Sequence, residues 1–228
     1  MKPEVWRAAL YHSLPIFVFH VTLGSVLGLL FHDAGYPWYV AVLFSLCVYA
    51  GSVQLLALSF LMSGGSLCVC ILSLLVIAIR NVFYGLTMLE RYEKIPLPLK
   101  FYLAHGLTDG VFSVLQISPK FEDERSDRQF IVSLTFLSHF SWVLSTLLGG
   151  YIGKRVPMPP DLEFAMTAFF AAAAVEIFLK QRQKRLIVIA SVSLACALLI
   201  APQQLMLPGI LCAVIGCLVV PGKKEVKA

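Results

Sequence analysis

Ile77-Ala78-Ile79-Arg80-Asn81-Val82-Phe83-Tyr84-Gly85-Leu86 lies inside an apolar run from Ser66 to Leu89. A bilayer-crossing helix needs about 20 apolar residues, so the run is long enough to span. A guanidinium and an amide at that depth are costly unless they are paired or functional. Two readings follow for Arg80. Either the helix reaches the interface there and the side chain snorkels to the headgroups, or it faces a protein interior and meets Asp109, Gln54 or an anionic substrate group in two-point geometry.

The chain around this run is membrane protein throughout. Its 228 residues are 59% hydrophobic, and mean hydropathy is +0.84, whereas soluble domains are less than half apolar. The expected fold is all-α and polytopic, with about 7–8 transmembrane segments, some of them short or discontinuous. Residues 1–228 form one integral-membrane domain, because the loops are too short for a separate catalytic module. The 18 Lys and Arg residues sit in clusters flanking apolar segments, which describes topology and excludes a nucleic-acid partner. The six cysteines all lie in apolar segments, and their spacing indicates neither a disulfide framework nor a metal site. No cofactor is expected.

A first span over about Leu14 to Phe31 carries Gly24 and Gly28, a small-xxx-small spacing that permits close helix contact. Tyr36, Trp38 and Tyr39 then read as an interfacial anchor. The second span, Tyr39 to Met62, holds Tyr49-Ala50-Gly51-Ser52-Val53-Gln54 near its centre. Transporters place substrate at such depth, often where a helix unwinds; in an ordinary helix Ser52 would bond its own backbone and Gln54 would bond a neighbour. Both readings stand at this point. The turn Ser63-Gly64-Gly65-Ser66 returns the chain into the Arg80 span, bringing Gln54 and Arg80 to comparable depths.

After the polar loop from Glu90 to Pro98 comes a short apolar stretch, Phe101 to Ile117, interrupted by His105-Gly106-Leu107-Thr108-Asp109-Gly110. Two glycines beside an acid suggest a discontinuous or re-entrant segment. A mixed charge run from Ser118 to Arg128 reads as a solvated loop. Further spans run over about Phe130 to Tyr151, Asp161 to Leu179, Leu186 to Ala201 and Leu205 to Val220, the last two as a hairpin about Pro202-Gln203-Gln204. If every segment crosses, loop 90–98 is outside and loop 118–128 inside. The basic residues then favour both termini in the cytoplasm.

Leu14-Pro15, the stretch from Tyr49 to Gln54, Arg80-Asn81-Val82-Phe83-Tyr84-Gly85-Leu86, Leu107-Thr108-Asp109 and Leu162-Glu163-Phe164-Ala165 together resemble the AzlC-type branched-chain amino acid permeases. Gly110 stands where that family usually has an acid, and Glu163 where it usually has an aspartate. The resemblance implies the large subunit of a bacterial inner-membrane exporter for valine, leucine, isoleucine or methionine, working with a small AzlD-type membrane subunit. The residues expected to bind substrate or couple its transport are Tyr49, Gly51, Ser52, Gln54, Arg80, Asn81, Tyr84, Thr108 and Asp109. Two other classes compete. A membrane-embedded enzyme would need a nucleophile with its base or a metal cluster, and neither His-Glu-x-x-His nor Gly-x-Ser-x-Gly occurs. A non-transporting scaffold or regulatory subunit would use its intramembrane polar residues for helix association alone.

Overall fold

The computed structural model describes residues 2–64, 67–118, 120–155, 184–200, 212, 215 and 216, without the side chains at 63, 69, 76, 77, 80, 184–187 and 200. The expected span from Asp161 to Leu179, Glu163, loop 180–183 and the basic tail lie outside the described residues. The chain divides into two compact units, Met1–Leu162 and Glu163–Ala228.

Among its described residues the first unit holds seven helices: α1 (Pro3–Asp33), α2 (Trp38–Cys47), α3 (Gly51–Ser63), α4 (Leu67–Tyr92), α5 (Leu97–His105), α6 (Asp109–Ile117) and α7 (Glu124–Ile152). Pro3 opens α1, where its missing N–H costs nothing. Asp123 caps α7 by accepting from the Arg125 amide at 3.2 Å and the Ser126 hydroxyl at 2.7 Å. Both α1 and α7 are long and apolar enough to cross a membrane. Leu75, Ile79, Val82, Phe83 and Leu86 of α4 are exposed, as a lipid-facing helix requires. The protein is an all-α polytopic membrane protein.

α1 and α7 run parallel as the central seam, with Lys2 at Asp123, His20 at Ser141 and Ser25 at Ser145. Small residues make the approach possible. A Cβ on Gly24 would sit 2.8 Å from Ser145 Cβ, and one on Gly28 would sit 2.5 Å from the Gly150 nitrogen. The small-residue spacing read from the sequence is therefore a contact surface. Below it, Val5, Ala9, Met88, Leu103, Val111, Phe130 and Leu134 join α1, α4, α5, α6 and α7 in one core.

The charged ends fix the path of the chain. Arg91, at the end of α4, donates to both Asp127 oxygens at 3.1 and 2.8 Å and to the Leu115 carbonyl at 2.6 Å. Lys94 pairs with Glu124, which holds the ammonium pKa above its ordinary value. The Ser126 hydroxyl and the Arg125 amide hold the Asp123 carboxyl below its own. Loop 90–96, loop 118–128 and the N-terminus therefore share one side of the molecule. This corrects the alternating path, which put the first two on opposite sides. α5 and α6 enter from that side and return to it, with their break at Gly106–Thr108 near His139.

α2 and α3 mirror this from the other side, where Trp38 approaches Lys154 and Gly150. Gln54 in α3 reaches back to Ser45 in α2 at 3.1 Å, although a continuous helix would separate them by about 13 Å. The chain turns back at Val48–Ala50. The interruption expected at 105–110 is thus present, and of the two readings left open for 49–54 the unwound one holds; each break makes a hairpin that returns to the side it entered.

Single cysteines at Glu93 and Lys120, in a cysteine-free background, should label from the same side of the membrane, with one at Gly35 labelling from the opposite side. Labelling of Glu93 and Lys120 from opposite sides would restore two full crossings.

In the second unit α8 (Lys184–Ile200) is described. A Cβ on Gly216 would lie 2.8 Å from Ile189 Cγ2, the pairing expected of a hairpin folded about 202–204, which lies outside the described residues.

Candidate functional site

The two breaks are built alike. At the first, the Ala50 amide donates to Val48 O at 2.8 Å, and Gln54 N to Ala50 O at 2.9 Å opens α3; at the second, Thr108 N to Gly106 O is 2.9 Å, and Phe112 N to Thr108 O is 2.8 Å. Neither Ala50 nor Thr108 supplies a side-chain cap. Each break leaves the first-turn amides of the following half-helix, with their partial positive charge, without intrahelical partners. Glycine is required at both by close approach. A Cβ on Gly51 would sit 2.9 Å from the Trp142 ring, and one on Gly106 would run into the Thr135 methyl.

Tyr49 lies in the first break, 4% exposed, with its ring stacked on His139 at 4.5 Å. His20 of α1 and His105 of α5 complete the surround, at 6.1 and 6.3 Å from the Tyr49 ring. Six buried side-chain atoms among the described residues lack a hydrogen-bond partner. Five of them are Tyr49 Oη, Thr108 Oγ1, Thr135 Oγ1, Ser138 Oγ and His139 Nε2, and they belong to the breaks and to the stretch of α7 beside them. Buried polar groups are normally paired, and Tyr49 and Thr108 lie against each other, so this cluster is a place where water or a polar ligand group is accommodated.

The nine residues named from the sequence separate into groups. Tyr49, Gly51 and Thr108 line the breaks themselves, and Ser52 follows in the first turn of α3. Tyr84 donates to Asp109 at 2.7 Å and stacks on Phe112 at 4.3 Å, so α4 is tied to the start of α6. Asn81 is partly buried on α4. Arg80 is helical, one turn before Tyr84 and so at the same register on that helix; its side chain lies outside the described residues.

Gln54 is fully buried and engaged elsewhere. The Trp142 indole N–H donates to its oxygen at 2.9 Å, its amide donates to Ser45 at 3.1 Å, Ser45 donates to Thr146 at 3.0 Å, and Thr146 donates to the Trp142 carbonyl at 2.9 Å. The ring closes on the residue where it began. Gln54 binds the two halves of the broken helix to α7, as the neighbour-bonding reading required.

Gln54→Leu keeps the volume, strands the Trp142 indole N–H as a buried donor at about 1–3 kcal/mol, and removes the amide from which Ser45 Oγ accepts, while Ser45 still donates to Thr146. Its melting temperature in detergent should fall by several degrees, and an unchanged value would mean that water replaces the amide.

The sequence reading missed His20, His105, His139 and Trp142. Histidines flanking apolar spans are ordinarily packing or interfacial residues, and nothing in their spacing says that three helices bring them to Tyr49.

The AzlC protein family model matches residues 15–156, a range that contains both breaks and all four of these residues. The chain belongs to the AzlC family. Across this family the chain is 36% identical to a Helicobacter pylori membrane protein over 176 residues, 76% of this chain and 75% of the relative. It is 28% identical to the Bacillus subtilis branched-chain amino acid transport protein AzlC over 232 residues, 100% of this chain and 90% of that one. It is 29% identical to the Escherichia coli inner membrane protein YgaZ, covering 90% of this chain and 85% of the relative. No solved structure matches the chain. As a member of the AzlC family it is a membrane protein, like the relatives it matches.

Proposed function

We propose that this AzlC-family chain exports branched-chain amino acids, and methionine, from the bacterial cytoplasm across the inner membrane, together with a small AzlD-type membrane subunit. The observation that carries this reading is that two facing helix breaks bring the buried hydroxyls of Tyr49 and Thr108 together. Half-helix N-termini attract a substrate carboxylate, and discontinuous helices at mid-depth are where transporters bind. The name of the Bacillus subtilis relative supports the substrate class, and the resemblance to AzlC-type permeases supports the direction and the partner.

The charge pattern supports a cytoplasmic N-terminus. Lys2, Arg7, Arg91, Lys94, Lys100, Lys120, Arg125 and Arg128 belong to the side of the N-terminus, and Lys154 and Arg155 to the other. Short loops rich in Lys and Arg stay inside.

Leucine and methionine efflux from loaded cells tests this reading, comparing wild type with Arg80→Lys and Arg80→Ala at matched expression. A buried guanidinium contributes charge-assisted hydrogen bonds of about 1.5–3 kcal/mol, so Arg80→Lys should slow efflux by about tenfold or more. Wild-type efflux in Arg80→Lys would return Arg80 to the interface, and no efflux from wild-type cells would remove the transport reading.

A further inference from the structure

We propose that His105, His139 and Tyr49, packed where the two helix breaks meet, bind the proton that couples amino acid transport to a pH gradient. The proposal rests on the transport reading above and adds the coupling ion and its residues. Imidazole is the side chain whose ordinary pKa, about 6.5, lets it take and release a proton near neutrality. The His105 and His139 rings are 5.5 Å apart, edge to face, and the His139 ring stacks on Tyr49.

Access is graded along this row. His105 is exposed, His139 is half-buried and Tyr49 is buried. His139 Nε2 is a buried atom with no hydrogen-bond partner among the described residues, so a proton passed on by His105 finds a vacant nitrogen next in line. The other titratable groups facing the pair are few. His20, from α1, is 2.7 Å from the Ser141 hydroxyl through Nδ1; Tyr102, from α5, is 6.3 Å from the His139 ring; and Asp109, at the start of α6, accepts from Tyr84. Two imidazolium charges 5.5 Å apart repel strongly in a low-dielectric interior, so the row holds one proton at a time. Imidazole nitrogens take up protons at ordinary pH and are poor ligands for alkali cations, so the proton is the cation this row suits. Tyr49 belongs to both the substrate break and the histidine row. Protonation of His139 therefore changes the field in which the zwitterion's carboxylate and ammonium sit, and that dependence is the coupling.

The chain with its small partner subunit would be reconstituted into proteoliposomes. Leucine counterflow at equal pH reads substrate exchange, and leucine accumulation driven by a pH gradient alone reads coupling. Wild type, His105→Gln and His139→Gln would be compared, with His12→Gln as a control on α1 outside the row. The expected result is that wild type and His12→Gln show both activities. In the two other variants the ratio of pH-driven accumulation to counterflow collapses. Exposed His105 offers a substitution that folding tolerates, and elution of each variant as a single symmetric peak on size exclusion in detergent, before reconstitution, reports that it has folded. A wild-type ratio in both variants overturns the assignment. Wild-type counterflow without pH-driven accumulation overturns the proton and leaves transport standing, whereas absent wild-type counterflow removes the transport reading and this proposal with it.

Discussion

Arg91→Met should cost about 3–5 kcal/mol, the usual loss when one partner of a buried ion pair is removed and the other stays buried. The Arg91 and Asp127 side chains are only 5% and 14% exposed, so water cannot easily replace the guanidinium. Asp127 also accepts from the Phe121 amide at 3.2 Å, which stays in place and solvates the carboxylate only in part. The same substitution frees the Leu115 carbonyl at the end of α6, where Arg91 now supplies the missing donor. One residue thus fastens α4, the returning limb of the re-entrant hairpin, and α7. The expected signature is a large fall in melting temperature in detergent, partly reversed in Arg91→Met/Asp127→Leu because that pair leaves no charge stranded. A wild-type melting temperature in the single variant would show that the pair is solvated.

Gly149→Ala should be comparably damaging with the addition of a single methyl group. A Cβ at Gly149 would fall on the Ser25 carbonyl oxygen and lie 2.7 Å from the Ser25 carbonyl carbon and Cα. These are backbone atoms, so no side chain can rotate away and α1 must move off α7. Overpacking of this sort costs about 1–3 kcal/mol in a core that can adjust, and a rigid helix seam belongs at the upper end. Gly85→Ala is the informative contrast. Nothing lies within 4 Å of a Cβ there, and alanine is favoured over glycine in a helix by about 0.5–1 kcal/mol. Fluorescence-detected size exclusion of heated samples should show Gly149→Ala lost well below wild type and Gly85→Ala retained at or above it. Equal behaviour of the two would mean that the seam does not close as described.

By itself the sequence determined the all-α membrane fold, because uninterrupted apolar length is a local property that bilayer thickness converts directly into helices. It also located the interruption at Gly106-Leu107-Thr108, because two glycines beside an acid in a short apolar stretch weaken a helix whatever surrounds it, and Gly24 with Gly28 read as a contact face because small residues let backbones approach. At Tyr49-Ala50-Gly51 the sequence left a break and an ordinary helix equally open. What Gln54 does was not legible, since an amide in a membrane helix serves a substrate or a neighbour equally well. Only the positions of Ser45, Thr146 and Trp142 settle its bonds. The path was not legible either. Hydropathy registers that a segment is apolar and not whether its second half continues or turns back, and the ion pairs of Arg91 and Lys94 with residues 36 and 30 positions away decide that. The meeting of His20, His105 and His139 around Tyr49 likewise exists only in the tertiary structure, because it depends on two hairpins from opposite sides reaching the same turn of α7.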